Sequence, residues 1–305
     1  MNVRPLLFTL ILLSALNNVY GQEKKKKKVN MLRVNSISIL GGGGTERYAA
    51  PTLDDFRKLS SGSALLNKNF DSYGTRFDDR GYYGVASVLL GIQLRDKEKT
   101  GYRNGPSLRL GINYMSGTAL YGNMNSEEKV RIDTLYNWQG ENIMYIDSVF
   151  NEYYYLSRFS KQLRLDASLI YSLFEYRFLT IYGGLGINLG TSVATNTRIE
   201  FYKSGTEEYY NQYGNQLHLN EDYMFSSDNT LERGMEDIHN KHDFYLSLNF
   251  PIGIDIRISK RNFGDRYHFF YEIKPGYSLN SIPELRTIHS GSIYNMIGFR
   301  MRMQG

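Results

Sequence analysis

A strict alternation of apolar and polar residues is the feature that most limits what this chain can become. Val88, Leu90, Ile92 and Leu94 interleave with Ser87, Leu89, Gly91, Gln93 and Arg95, and Leu108, Leu110, Ile112 and Tyr114 with Arg109, Gly111, Asn113 and Met115. The pattern returns in Leu163–Tyr171 against Arg164, Asp166 and Ser168, and in Leu179–Leu189 against Tyr182, Gly184, Gly186 and Asn188. Its longest stretch runs from Phe244 to Ile258 against Ser247, Asn249, Gly253, Asp255 and Arg257. Two more follow, Tyr267–Ile273 against His268, Glu272 and Lys274, and Ile293–Met303 against Gly298, Arg300 and Arg302. Successive side chains of a strand point to opposite faces, so period two held this long reads as strand rather than helix. A further strand is read at residues 31–41, where Leu32 and Val34 fit one face and Ile37 and Ile39 the other; this predicts a bulge between them. Pro251 has no N–H to donate in mid-strand and predicts a second bulge.

The connections carry independent information. Those after the first, third and fifth strands are long, whereas Asp96 to Pro106, Phe174 to Arg177 and Ser259 to Asp265 are short. Long and short connections on opposite sides, an even strand count and both termini at the short-turn end are features of membrane-spanning barrels. A soluble barrel would also alternate, with its apolar face inward. The polar face decides between the two. It combines glycines with Arg95, Arg109, Arg164, Arg257, Arg300 and Arg302, set among Asp166, Asp255 and Glu272, and Lys274 is its single lysine. Small residues with Arg–carboxylate pairs suit a narrow interior in which every charge needs a partner. The fold class is therefore read as all-β: an antiparallel, eight-stranded, up-and-down transmembrane β-barrel with long external loops. Those nine charged residues form its interior charge network. An interior of this size holds side chains and little else, so a salt-bridged plug is favoured over a wide pore, with a small gated pore as the alternative.

Residues 1–21 read as a secretory signal peptide, with Arg4 ahead of the apolar run Leu6–Leu16 and a cleavage site at Val19-Tyr20-Gly21. Residues 22–30 are then a basic periplasmic tail and 31–305 the barrel. Most of the net charge of +5 lies in Arg4 and Lys24–Lys28, so the charge balance gives no support for nucleic-acid binding. With no cysteine, disulfide frameworks and thiol catalysis are excluded. The barrel reading implies membrane lipid around it and an extracellular or envelope protein at the loops as partners.

On these residues the chain resembles the small eight-stranded outer-membrane barrels of Gram-negative bacteria, the group that includes the OmpA membrane domain and OmpX. Its final strand, Met296-Ile297-Gly298-Phe299-Arg300-Met301-Arg302-Met303, is similar to the C-terminal assembly signal of that group. It departs from it at Met296, where a polar residue is usual, and in ending on Gln304-Gly305 rather than an aromatic. The resemblance implies an architecture, an outer-membrane location with outer-membrane lipid around the barrel and the barrel-assembly machinery as partner during insertion, and no substrate.

No catalytic, cofactor or metal residue is assigned. The one suggestive cluster runs from Glu236 to Asp243, where His239 and His242 with nearby carboxylates could hold a metal or pair as base and orienter. A polar loop descending into a strand is the favoured reading; an enzyme at the external rim is one rival, and an accessory subunit of an envelope transport or secretion complex another. His218, His268 and His289 read as isolated. Gly41–Gly44 lacks the Lys-Ser/Thr step of a phosphate loop and reads as a strand exit. Alternation at Lys129–Asn137, Ile143–Tyr155, Arg198–Tyr202 and Gln216–Leu219 extends the central strands past the bilayer as ribbons. Tyr121, Tyr136, Trp138, Tyr153–Tyr155, Tyr209, Tyr210, Tyr213 and Tyr223 then serve recognition or pack among themselves, with recognition slightly favoured.

Overall fold

The computed structural model describes residues 32–94, 106–136, 138–176, 178–217, 230–258 and 267–303. The leader, the basic tail and Arg95 lie outside the described residues.

The chain is nearly all antiparallel strand: β1 (Leu32–Arg47), β2 (Gly74–Asp78), β3 (Arg80–Leu94), β4 (Ser107–Tyr136), β5 (Asn142–Tyr176), β6 (Leu179–Asn211), β7 (Gln216–Leu217), β8 (Thr230–His239), β9 (Phe244–Asn249), β10 (Ile252–Arg257), β11 (Tyr267–Ser281) and β12 (Thr287–Arg302). Helix α1 (Leu53–Leu59) lies between β1 and β2. The ring order is β1, β3, β4, β5, β6, β9 with β10 as one stave, β11 and β12, a closed eight-strand ring. It closes where β1 meets β12, from Ser36 opposite Arg302 to Arg47 opposite Gly291. Closure removes the sheet edges, which a strand facing lipid could not leave unpaired.

The alternation sorts side chains as the period dictates. On β5, Leu163, Leu165, Leu169, Tyr171 and Leu173 point outward, covering about eleven residues, the length a tilted strand needs to cross the hydrocarbon. Leu110, Ile112, Val88, Leu248, Ile254 and Ile297 continue this belt on other staves. Arg109, Arg164, Asp166, Asp255, Glu272 and Lys274 are buried on the opposite face. An apolar belt around a charged interior makes this a membrane-spanning barrel, and closed barrels of this kind belong to the outer membrane.

Aromatic rings lie across three inward glycines. Tyr294 is the register partner of Gly44, Phe270 of Gly298 and Tyr182 of Gly253. A Cβ on any of the three would overlap the facing ring. The rings, with Leu40, Tyr83, Leu89, Met115 and Met296, form the apolar part of the lumen core.

Two register expectations come out differently. The register of β1 against β3 shifts between Val34 and Ser36, which is the bulge that puts Val34 and Ile37 on one face. At Pro251 there is no bulge. Asn249 pairs with Gly276 and Ile252 with Ile273, so no residue is inserted, and the ladder loses only local pairing. The Phe250 N–H donates to the Pro275 carbonyl at 2.8 Å, and pairing on both sides holds the register across the missing donor.

The connection expected between the third and fourth strands is mostly strand. β4, β5 and β6 are 30, 35 and 33 residues long, on the order of 100 Å of chain each. Above the bilayer they form a ribbon whose concave face is apolar. Leu120, Met124, Tyr154, Leu156, Ile199 and Phe201 are buried there beneath Tyr48, Phe56, Leu59, Leu66 and Phe70 of the segment between β1 and β2. Ile282 of the β11–β12 connection joins the same core, so the cap bridges the ring. Helix α1, which the alternation does not announce, starts with a capping box: Thr52 Oγ1 accepts from the Asp55 N–H, and the Asp55 carboxylate accepts from the Thr52 N–H at 2.9 Å. Phe56 and Leu59, three apart, then face the ribbon.

The packing makes a paired prediction for glycines on one strand. Gly44→Ala, whose methyl meets the Tyr294 ring and the Ile293 carbonyl, should lower the urea midpoint of the micelle-folded barrel by roughly 1–3 kcal/mol of stability. Gly41→Ala, with nothing within 4 Å of the added methyl, should change it by less than about 0.5 kcal/mol.

Candidate functional site

The lumen holds its charges in four layers. Nearest the short turns, Asp255 faces His268 Nδ1 at 2.5 Å and Arg300 Nη1 at 2.5 Å, and Arg300 Nε donates to Ser38 at 3.2 Å. Arg257 stands at this level as the register partner of His268, with Arg302 close by at the end of β12. One layer up, Arg109 grips Glu272 with two hydrogen bonds, 2.5 and 3.1 Å, and the Tyr182 hydroxyl donates to the same carboxylate at 2.7 Å. Lys274 lies between Glu272 at 3.4 Å and Asp166 at 2.8 Å, and Asn113 and Ser168 also donate to Asp166. In the third layer Arg164 reaches Glu46 at 3.3 Å, and the Tyr245 and Tyr294 hydroxyls donate to Glu46. At the top Arg158 and Asp243 form a two-bond pair, 2.7 and 2.9 Å, both almost wholly buried.

Of the sequence-predicted network, Arg109 and Glu272 touch directly, as do Asp255 and Arg300, while Arg164 and Asp166 belong to different layers. Tyr182 stands on the inward face where the alternation puts it, whereas Glu46, Arg158, Tyr245 and Tyr294, and an inward Asp243, are missed by sequence reasoning. Glu46 and Arg158 lie beyond the strand ends that the sequence suggests; continuing the period from Leu40 and from Arg164 carries both inward. His268 is not isolated, since it contacts Asp255, and His289 Nδ1 lies 2.6 Å from the Tyr277 hydroxyl on the outer face. His218 lies outside the described residues.

The cluster around His239 and His242 comes apart in the structure. Asp243 turns inward to Arg158, Asp237 takes two hydrogen bonds from Arg198, and Glu236 accepts from the Ala64 and Leu65 N–H groups of the cap. Both histidines are exposed. Each carboxylate is thus already engaged in holding strands or cap together.

The external tyrosines divide by strand parity. Tyr154 points into the cap core, while Tyr153 and Tyr155 on either side of it point outward. Tyr210 and Lys129 share Glu208 on the outer face, and Tyr136, Trp138 and Tyr213 are exposed near the ribbon tips. Tyr223 lies outside the described residues. The cap is latched to the concave face by Lys68. Its ammonium lies 2.5 Å from Glu152 and 4.8 Å from the ring centres of both Tyr73 and Tyr154, a cation held by a carboxylate and two π-faces. Lys203 supports Glu152 from the other side at 3.2 Å.

No family model and no curated protein matches the chain. Among solved structures it is similar to the outer membrane protein OprG from Pseudomonas aeruginosa, at 12% identity over 90% of this chain and 98% of that one, with a TM-score of 0.34. It is also similar to Neisserial surface protein A, at 12% identity over 89% and 99% with a TM-score of 0.30. A third is Ail, the attachment invasion locus protein of Yersinia pestis, at 9% identity over 88% and 100% with a TM-score of 0.25. At these scores the overlap is one of general outline and carries no role across.

Two predictions follow from the charges. Arg158→Met strands the Asp243 carboxylate in the mouth and should destabilise the barrel by roughly 3–5 kcal/mol in urea refolding, with most of the loss recovered on adding Asp243→Leu. The latch makes a pH prediction. Partial burial pushes the Glu152 carboxyl up, but hydrogen bonds from Lys68, Tyr73 and Lys203 outweigh it and hold it at about 2, below its ordinary 4.5. A lowered folded value means the latch contributes fully above pH 4.5 and is lost as pH falls through about 2. Lys68 moves up from its ordinary 10.5, burial opposing and Glu152 prevailing, so its share is lost only at pH above that. Pepsin should therefore spare residues 48–78 at pH 4 and cut them first near pH 2, and Lys68→Met should abolish the protection at pH 4.

Proposed function

We propose that this chain is a non-conducting outer-membrane barrel whose ribbon is a recognition surface. The observation that carries the reading is the length of β4, β5 and β6, about three times what a bilayer requires. Strand that does not serve the membrane presents Tyr153, Tyr155, Tyr202 and Tyr210 on an outward face, in a polar setting suited to contact area at low entropy cost. The charge network is proposed to act as the plug, a reading supported by the buried Arg–carboxylate pairs across the lumen and by the cap packed above the ring. Residues 1–21 serve as the export signal and 22–30 as a periplasmic tail, with the barrel-assembly machinery as the transient partner. The chain acts by binding rather than catalysis, since the acids beside His239 and His242 are committed to structural contacts. An extracellular or envelope macromolecule is the partner.

Two measurements test this. Reconstituted in planar bilayers, the purified protein should give no ion-conducting steps. Vesicles carrying it should adhere to a cell surface, and replacing Tyr136, Trp138, Tyr153, Tyr155, Tyr202 and Tyr213 by Ser should abolish adhesion while boiling-dependent gel migration persists. Conducting steps, or adhesion unmoved by the substitutions, would overturn the reading.

A further inference from the structure

The outward face of the ribbon carries a shallow, open hollow lined by Tyr153 and Tyr155 of β5 and Glu200 and Tyr202 of β6. The register explains it. Tyr153 pairs with Tyr202 and Tyr155 with Glu200, so the four side chains make a two-by-two block on one face. Tyr155 and Tyr202 meet edge to face with ring centres 6.0 Å apart, so the two rings offer faces at a steep angle to one another. The Tyr202 hydroxyl donates to Glu200 at 3.0 Å and orients that carboxylate beside the rings.

The surrounding charges narrow the occupant. A cation would be the obvious guest for three tyrosines and a carboxylate. Here the Arg233 guanidinium already lies 5.1 Å from the Tyr202 ring centre, and Arg198 is 3.9 Å from Glu200. An added cation would meet the repulsion of both arginines. A simple anion would meet Glu200. A neutral guest remains, one with an apolar face for the rings and hydroxyls for Glu200 and the tyrosine OH groups. The hollow lies roughly 20 Å along the strand above Lys161, past the outward Phe159 and Ser157 of β5. A glycan on the same membrane or on another surface can reach it there.

We infer that Tyr153, Tyr155, Tyr202 and Glu200 form a binding site for a neutral pyranose sugar of a surface glycan. The inference rests on the recognition reading and names its ligand chemistry. One sugar face stacks on Tyr155, the sugar's edge packs against the Tyr202 ring set at a steep angle to it, and Glu200 accepts from ring hydroxyls and so discriminates between epimers.

The test is saturation-transfer NMR on the full chain in a detergent without a sugar headgroup, with the methyl glycopyranosides of glucose, galactose and mannose as probes. Transfer to the ring protons of at least one is expected. It should fall roughly fivefold in Tyr155→Ala and in Tyr202→Ala, the scale of one aromatic contact, and persist in Tyr155→Phe, where a hydrogen-bonding role for the hydroxyl would not be rescued. Glu200→Gln should flatten the preference among the three sugars. No transfer from any of them, transfer unchanged in the alanine variants, or stronger binding of tetramethylammonium at the same residues would overturn the inference. If adhesion is lost in the six-residue variant above and the wild type still ignores all three sugars, the recognition reading stands and the sugar site falls. Glycolipid that co-purifies with the wild type and is lost from Tyr155→Ala identifies the protein's own membrane as the source. Soluble polysaccharide binding without such retention identifies a foreign glycan.

Discussion

A closed eight-strand ring surrounds a space about the width of its own side chains, and this chain buries paired charges there beside an apolar cluster. Inward arginines need carboxylates at hydrogen-bonding distance, because an unpaired charge in a dry interior costs several kcal/mol. Arg109 with Glu272, Arg158 with Asp243 and Lys274 with Asp166 meet that need across the lumen rather than along a strand. Each pair therefore ties two staves that are not ring neighbours, acting as a cross-brace inside a cylinder whose hydrogen bonds run only around its circumference. The lumen tyrosines complete the bracing: Tyr182 and Tyr294 put ring area against inward apolar residues and glycines, Tyr245 puts its ring against the Arg164 guanidinium, and their hydroxyls go to Glu272 and Glu46.

The same period-two sorting continues above the membrane with its meaning reversed. Within the bilayer the outward face must be apolar and the inward face carries the polar groups. Once β4, β5 and β6 leave the lipid, water lies outside, so the outward face turns to Tyr, Arg and Glu and the concave face becomes the dry one. The changeover coincides with register shifts on both partners of β5, between Thr118 and Leu120 on the β4 side and at Lys161 on the β6 side. Bulges of this kind bend and twist a strand at the rim of a barrel, and here they let one continuous sheet serve two solvents.

This division explains what the sequence disclosed and what it withheld. The bilayer-spanning parts were legible because lipid enforces clean alternation: Leu163 to Tyr171 and Phe244 to Ile258 sort as their residue types say they must. The seam bulge near Asn35 was legible as two half-patterns out of phase, whereas Pro251 was misread because a missing donor does not require an inserted residue. The cap escaped because its signal is short. Thr52-Leu53-Asp54-Asp55-Phe56 marks a helix start, but a seven-residue helix is too brief for periodicity to announce. The charge partners were only partly legible, since pairing across a lumen depends on stagger between strands, which sequence spacing does not encode. Glu46 and Arg164 are 118 positions apart and meet only because the ring closes at a particular shear.

The ring's closure also sets a condition on its own completion. The seam joins the first stave of the ring to the last, from Ser36 opposite Arg302 to Arg47 opposite Gly291. No other pairing in the ring joins strands so far apart in the chain, so β1 keeps an open edge until β12 has been made and brought round to it. The cylinder is finished by its two ends finding each other.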